Sequence, residues 1–157
     1  MLTKMNDDDR LELQIIERLS ELLPAQTTLT LPFELRQKSR LRTWLDNGAE
    51  VGLFLPRGTV LRHSDRLRTT CGLIVEVRAA PETVATARTA DPLLLARAAY
   101  HLGNRHIALQ LGLGWLRYVY DHVLSGMVQE LGLEVICEQA PFEPEIGAYG
   151  GGRHQHP

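Results

Sequence analysis

Cysteine is scarce in this chain and never clustered: Cys71 and Cys137 stand alone, with no C-x-x-C pair. That argues against a soft-metal thiolate site and, in a reducing compartment, reads each thiol as a small buried hydrophobe. Positive charge is not in excess either. With 17 Lys and Arg against 19 Asp and Glu, the formal charge of -2 offers no basic field for nucleic acid. No apolar run approaches the roughly 18 residues that span a bilayer, and the opening MLTKMNDDDR lacks the apolar stretch of a secretory signal. The expectation is a cytoplasmic protein with neither nucleic acid nor membrane as partner. Catalytic signatures are missing as well. There is no G-x-S-x-G, no H-E-x-x-H and no G-x-x-x-x-G-K-S/T, and the stretch Gly112-Leu113-Gly114 lacks the phosphate-binding spacing. The chain is therefore not expected to be an enzyme.

What is present suits a globular fold. The 157 residues, 44% hydrophobic and 23% charged, are enough for one ordinary domain or two very small ones. The first half reads as short strands: residues 28–33 alternate, and residues 51–55 follow the hairpin punctuation Asp46-Asn47-Gly48. Leu73, Val75 and Val77 alternate with Ile74, Glu76 and Arg78, which would bury the first set. Residues 11–22 are ambiguous, but Leu11, Ile15, Leu19 and Leu22 form a stripe that leans towards helix.

After Ala80-Pro81-Glu82 the pattern changes. Residues 82–88 read as a strand, and Asp91-Pro92 then opens a helix, the aspartate capping free N–H groups and the proline giving up no bond. Gly103-Asn104 supplies a left-handed stop. Strands at 107–111 and 115–119 follow, then a helix from 121 to 131 ended by Gly132, then a strand in which Leu133, Val135 and Cys137 form one alternating set. The order β-α-β-β-α-β is ferredoxin-like. Beyond Ala140, prolines and the run Gly150-Gly151-Gly152 predict a mobile tail.

Six histidines are the residues with chemistry to offer. A neutral imidazole donates a lone pair to nickel, copper or zinc without an ionic commitment. His154 and His156 sit in the glycine-rich tail, as a solvated terminus or as ligands. His106 follows the first helix of the second half, where a helix-end cation is the plainer reading. His101, on the apolar stripe, reads as a core residue. His122 follows Asp121, which reads as the cap of the next helix, and His63 lies in a polar loop.

Several segments together resemble the urease accessory protein UreE family. They are residues 35–40 (LRQKSR), 55–62 (LPRGTVLR), 98–106 (AAYHLGNRH), 116–118 with 121–124, and 140–145 (APFEPE) with 147–149. The resemblance reaches from about Ile15 to the histidine tail. It implies an α+β protein: an N-terminal β domain over residues 1–81, similar to chaperone peptide-binding modules, then a ferredoxin-like metal-binding and dimerisation domain over 82–149, and a flexible His-containing tail over 150–157. It also implies that residues 15–19 are a strand. The function implied is a nickel metallochaperone, a homodimer working with the urease accessory GTPase and apo-urease. His106 would lie at the dimer interface and bind Ni2+ with its symmetry mate, since a residue beside a two-fold axis is automatically doubled. His154 and His156 would complete the shell. His122 matches one member of a peripheral histidine pair, but Tyr120 stands at the other position. Zn2+ or Cu2+ can bind in place of nickel. Two competing readings are a scaffold in the urease maturation complex that binds partners along a strand edge, and a general Zn, Cu or Ni buffer.

Overall fold

The computed structural model describes residues 13–147, which divide into two compact units, one ending at Ala79 and the other comprising Ala80–Gly147. The first unit holds β1 (Gln14–Leu19), β2 (Thr27–Leu31), the single-turn helix α1 (Phe33–Arg36), β3 (Arg40–Trp44), β4 (Glu50–Phe54), β5 (Arg66–Thr69) and β6 (Ile74–Ala79). These strands form one sheet in the order β2-β6-β5-β1-β4-β3. Its outer strands approach each other: the Asp46 N–H donates to Thr28 O at 2.9 Å, and the Thr28 and Thr30 hydroxyls donate to Asp46 Oδ2 at 2.5 and 2.7 Å. The sheet thus curls towards a barrel around Ile15, Leu29, Val51, Leu53, Leu61, Leu67, Val75 and Val77.

Within the helical stripe read over residues 11–22, Gln14–Leu19 form not a helix but β1, as the family resemblance implied, and Leu11 lies outside the described residues. Ile15 is fully buried while Leu22, which the stripe would have buried, is 75% exposed. Pairing with β4 on one side and β5 on the other outweighs a weak local preference. In β6 the expected set is buried at Val75 and Val77, but Ile74 is buried too, because the strand lies inside the sheet between β2 and β5.

The second unit contains β7 (Pro81–Arg88), α2 (Pro92–Asn104), β8 (Gln110–Gly112), β9 (Trp115–Val119), α3 (His122–Leu131) and β10 (Glu134–Pro141). The ferredoxin-like order read from the sequence is present, and the strands pair antiparallel as β10-β7-β9-β8. Both helices lay their apolar stripes on one face, where Ala98, Leu102, Leu124 and Val128 meet Ala85, Ala87, Leu116 and Tyr118. The Tyr118 hydroxyl, inside this core, is 3.1 Å from Ser125 Oγ. On β9, Arg117 donates to Thr86 Oγ1 (2.9 Å) and Glu138 Oε1 (3.2 Å) and lies over the Trp115 ring.

Further details of the sequence reading need correction. Strand β8 begins at Gln110 rather than 107, because the preceding residues close the end of α2. Both cysteines, expected buried, are exposed. Cys71 lies between β5 and β6 beside the Thr69 hydroxyl, 3.2 Å away, and Cys137 is on β10, an edge strand with less cover. The helix stop expected at Gly103-Asn104 lies further on, as described next. The mobile tail expected beyond Ala140 does not begin there: Pro141 ends β10, Phe142 is fully buried and the Glu145 N–H donates to Leu109 O at 2.7 Å, while residues 150–157 lie outside the described residues.

Candidate metal centre

Helix α2 begins as its residue types dictate. Pro92 occupies the first turn and the Asp91 side chain accepts a hydrogen bond from the Leu93 N–H at 2.9 Å. Ala98 and Leu102 are buried, with Leu94, Leu95 and Ala99 partly so. His101 is not on this inner stripe: it is exposed, its ring edge-on to Tyr100 with centroids 5.3 Å apart. The core role expected for His101 is thus overturned. The stripe through Ala98 and Leu102 turns position 101 outward, at roughly 100° per residue.

The helix runs through both Gly103 and Asn104, is capped by Arg105, and reverses at His106, whose φ is 58°. The His106 N–H donates to Gly103 O (2.9 Å) and the Ile107 N–H to Leu102 O (3.2 Å). These two bonds satisfy carbonyls that a helix end otherwise leaves without partners, in the Schellman arrangement. Ile107 then packs against the core cluster that holds Leu102. His106 is therefore the left-handed residue of the turn. It is exposed, and apart from Ser64 it is the sole non-glycine residue with positive φ among the described residues.

The remaining histidines are dispersed. His122 is the first residue of α3, exposed, while Asp121 acts as the cap and accepts from the Leu124 N–H at 2.9 Å. Tyr120, two residues earlier, is 42% exposed. His63, in the first unit, accepts the Ala79 N–H at Nδ1 (3.2 Å), an anchoring role within its loop. Among the described residues, no three His, Cys, Asp or Glu side chains gather as a metal cage. His154 and His156 lie outside the described residues. Of the exposed histidines among the described residues, His63, His101, His106 and His122, His106 alone stands on a left-handed helix-ending turn, and its imidazole can offer one nitrogen.

Two family models match the chain, together spanning nearly all of it. The N-terminal domain of the UreE urease accessory protein matches residues 4–80, and the C-terminal domain of the same protein matches residues 82–157. The chain belongs to the UreE urease accessory protein family. It is 59% identical over 139 residues to the urease accessory protein UreE of Alkalilimnicola ehrlichii, covering 88% of this chain and 85% of that protein. Against UreE of Vibrio parahaemolyticus it is 56% identical over 133 residues, covering 80% and 84%. Against UreE of Pseudomonas putida strain W619 it is 53% identical over 141 residues, covering 89% and 88%. Membership in the UreE family makes the chain an accessory protein rather than an enzyme. Sequence reasoning singled out His106 but missed the backbone that presents it, because Gly103-Asn104 offered a more conventional stop three residues earlier.

Proposed function

We propose that this chain is a cytoplasmic nickel metallochaperone for urease maturation, a homodimer that holds Ni2+ between two copies of His106. Residues 82–149 supply metal binding and dimerisation, and residues 1–81 supply a surface for partners, the urease accessory GTPase and apo-urease among them. The observation that carries this reading is the exposed His106 imidazole at the reversal of α2, in a chain whose described residues gather no metal cage of their own. One nitrogen is too little for Ni2+. A two-fold axis beside His106 doubles it without any further residue being needed. Tyr100, 67% exposed, and Leu93, 58% exposed, give the same helix apolar surface for a second copy to cover.

Two imidazoles still leave nickel short of the donors it prefers in square-planar or octahedral geometry. His154 and His156, beyond Gly150-Gly151-Gly152 in sequence, complete the shell. His122 is a weaker candidate, with Tyr120 where its partner would be. Ligands that leave one at a time open positions for a recipient's donors, so the ion is held firmly yet passes on. Metal binding requires neutral imidazole, so affinity falls in acid. Zn2+ and Cu2+ compete for such a site, and delivery of nickel in particular depends on which ion is available.

The test is urease activation in cells at limiting nickel, with His106→Gly in place of the parent chain. Glycine removes the imidazole and keeps the left-handed turn. Urease activity should drop to the level seen without the chain. Activation at the parent level would overturn the assignment of His106 and favour the scaffold reading.

A further inference from the structure

Two helices of the second unit end in the same hydrogen-bonded turn, and the comparison between them points beyond His106 itself. At the end of α3 the Gly132 N–H donates to Gln129 O (2.9 Å) and the Leu133 N–H to Val128 O (3.3 Å). At the end of α2 the corresponding bonds are His106 to Gly103 and Ile107 to Leu102. Gly132 adopts its left-handed conformation freely, with φ of 107°. His106 has a Cβ, so its conformation is disfavoured unless the surroundings hold it. Two things hold it. One is the pair of hydrogen bonds. The other is Ile107, the next residue, partly buried against the same core cluster as Leu102 and Leu109.

We propose that Ile107 is the positioning residue of the metal site, anchoring the left-handed turn so that the His106 imidazole is presented in one direction before metal arrives. The inference rests on His106 being a metal ligand. A backbone in the left-handed region sends its side chain to a different place from one in the right-handed region. Should the turn relax at His106, the imidazole leaves its place although the helix behind it stays folded. The dimer magnifies the effect. If losing the anchor leaves each turn in the binding geometry about a third of the time, a site that needs two turns is competent about a tenth of the time. The apparent Kd then rises about tenfold.

Leu133 provides a matched control. It occupies the corresponding place after α3, belongs to the same core cluster and is 4% exposed, but it presents no ligand. The experiment is a calorimetric Ni2+ titration of the full-length dimer for Ile107→Ala, Ile107→Val, Leu133→Ala and His106→Gly, with amide hydrogen exchange read on the same proteins. Ile107→Ala should bind Ni2+ about tenfold more weakly and exchange the His106 and Ile107 amides faster, those of Gly132 and Leu133 staying at parent rates. Leu133→Ala should lose at least as much thermal stability and keep the parent affinity, and Ile107→Val should restore both affinity and protection. Should Ile107→Ala not fold, Ile107→Thr takes its place with the same expectations. Parent affinity in the Ile107 variant, or an equal loss in Leu133→Ala, overturns the positioning role. Nickel binding that survives His106→Gly overturns the metal-site reading beneath it, whereas binding lost in His106→Gly but unchanged in Ile107→Ala removes the positioning role alone.

Discussion

His106 and Gly132 occupy equivalent places in two copies of one helix-ending turn. Each donates its N–H to the carbonyl three residues back, at 2.9 Å, and each has positive φ, 58° and 107°. At Gly132 the residue type and the geometry agree. At His106 they do not, since glycine is the residue such a turn favours, and histidine, although enriched among non-glycine residues there, is still uncommon. Local rules are broken most often where a site requires it, and an exposed imidazole is what this departure gives the surface.

The metal-free stability of position 106 should follow the backbone and not the ligand. His106→Gly should denature at or above the parent's urea midpoint. His106→Ala keeps a Cβ in the left-handed region and should lie below the glycine variant by about 1 kcal/mol. Equal stability of the two, measured by urea unfolding, would mean that the turn relaxes on its own.

The reverse substitution at the other helix has a definite sign. In Gly132→Ala the new Cβ would stand 3.4 Å from Leu94 Cδ2, ordinary contact, so space is not the obstacle. The φ of 107° is. A loss of about 1–2 kcal/mol is expected, visible as a lower thermal midpoint, and a midpoint equal to the parent's would contradict it.

Gly112 on β8 has a different reason to be glycine. A Cβ there would fall 2.1 to 2.5 Å from three ring atoms of Trp115, which pairs with it across the strands and carries Arg117 on its ring. Gly112→Ala should push the indole aside, shift the tryptophan fluorescence and destabilise by about 1–3 kcal/mol. An unchanged emission spectrum would show that the ring has other room.

Tyr118 sets an alkaline limit. Burial pushes its hydroxyl above the ordinary 10.0, and the nearby charge of Asp121 adds to the rise, while the Ser125 hydrogen bond only partly offsets them. A phenol whose folded pKa exceeds its unfolded one stabilises the fold fully below pH 10, and that stability is lost as pH rises through the folded value. Tyr118→Phe should be less stable at neutral pH by about 1 kcal/mol, for the lost hydrogen bond. It should also lose less stability than the parent above pH 10. Parallel stability curves for the two proteins would contradict this.

Much of the second unit was legible from local chemistry alone. Asp91-Pro92 opened α2, Asp121 capped α3, Gly132 ended it, and the strand alternation delivered the ferredoxin-like order. Those signals are short-range and act through backbone hydrogen bonds. What local chemistry misread depends on partners distant in sequence. Residues 14–19 became a strand because β4 and β5 flank them. His101 faced outward because the helix's buried register was fixed by Ala98 and Leu102. The turn at His106 was hidden for the same reason: Gly103 and Asn104 are sufficient for a stop, and it is the later return of Ile107 to the core that moves the reversal onto a histidine.

The most direct test of the shared-nickel account is a nickel titration followed by native mass measurement on the full chain and on His106→Gly. Two copies of the chain should carry one Ni2+ at the tightest step, and His106→Gly should remain a folded dimer without that ion. One tightly held nickel on a single monomer, or the same tight step in the glycine variant, would contradict a site built from two facing imidazoles.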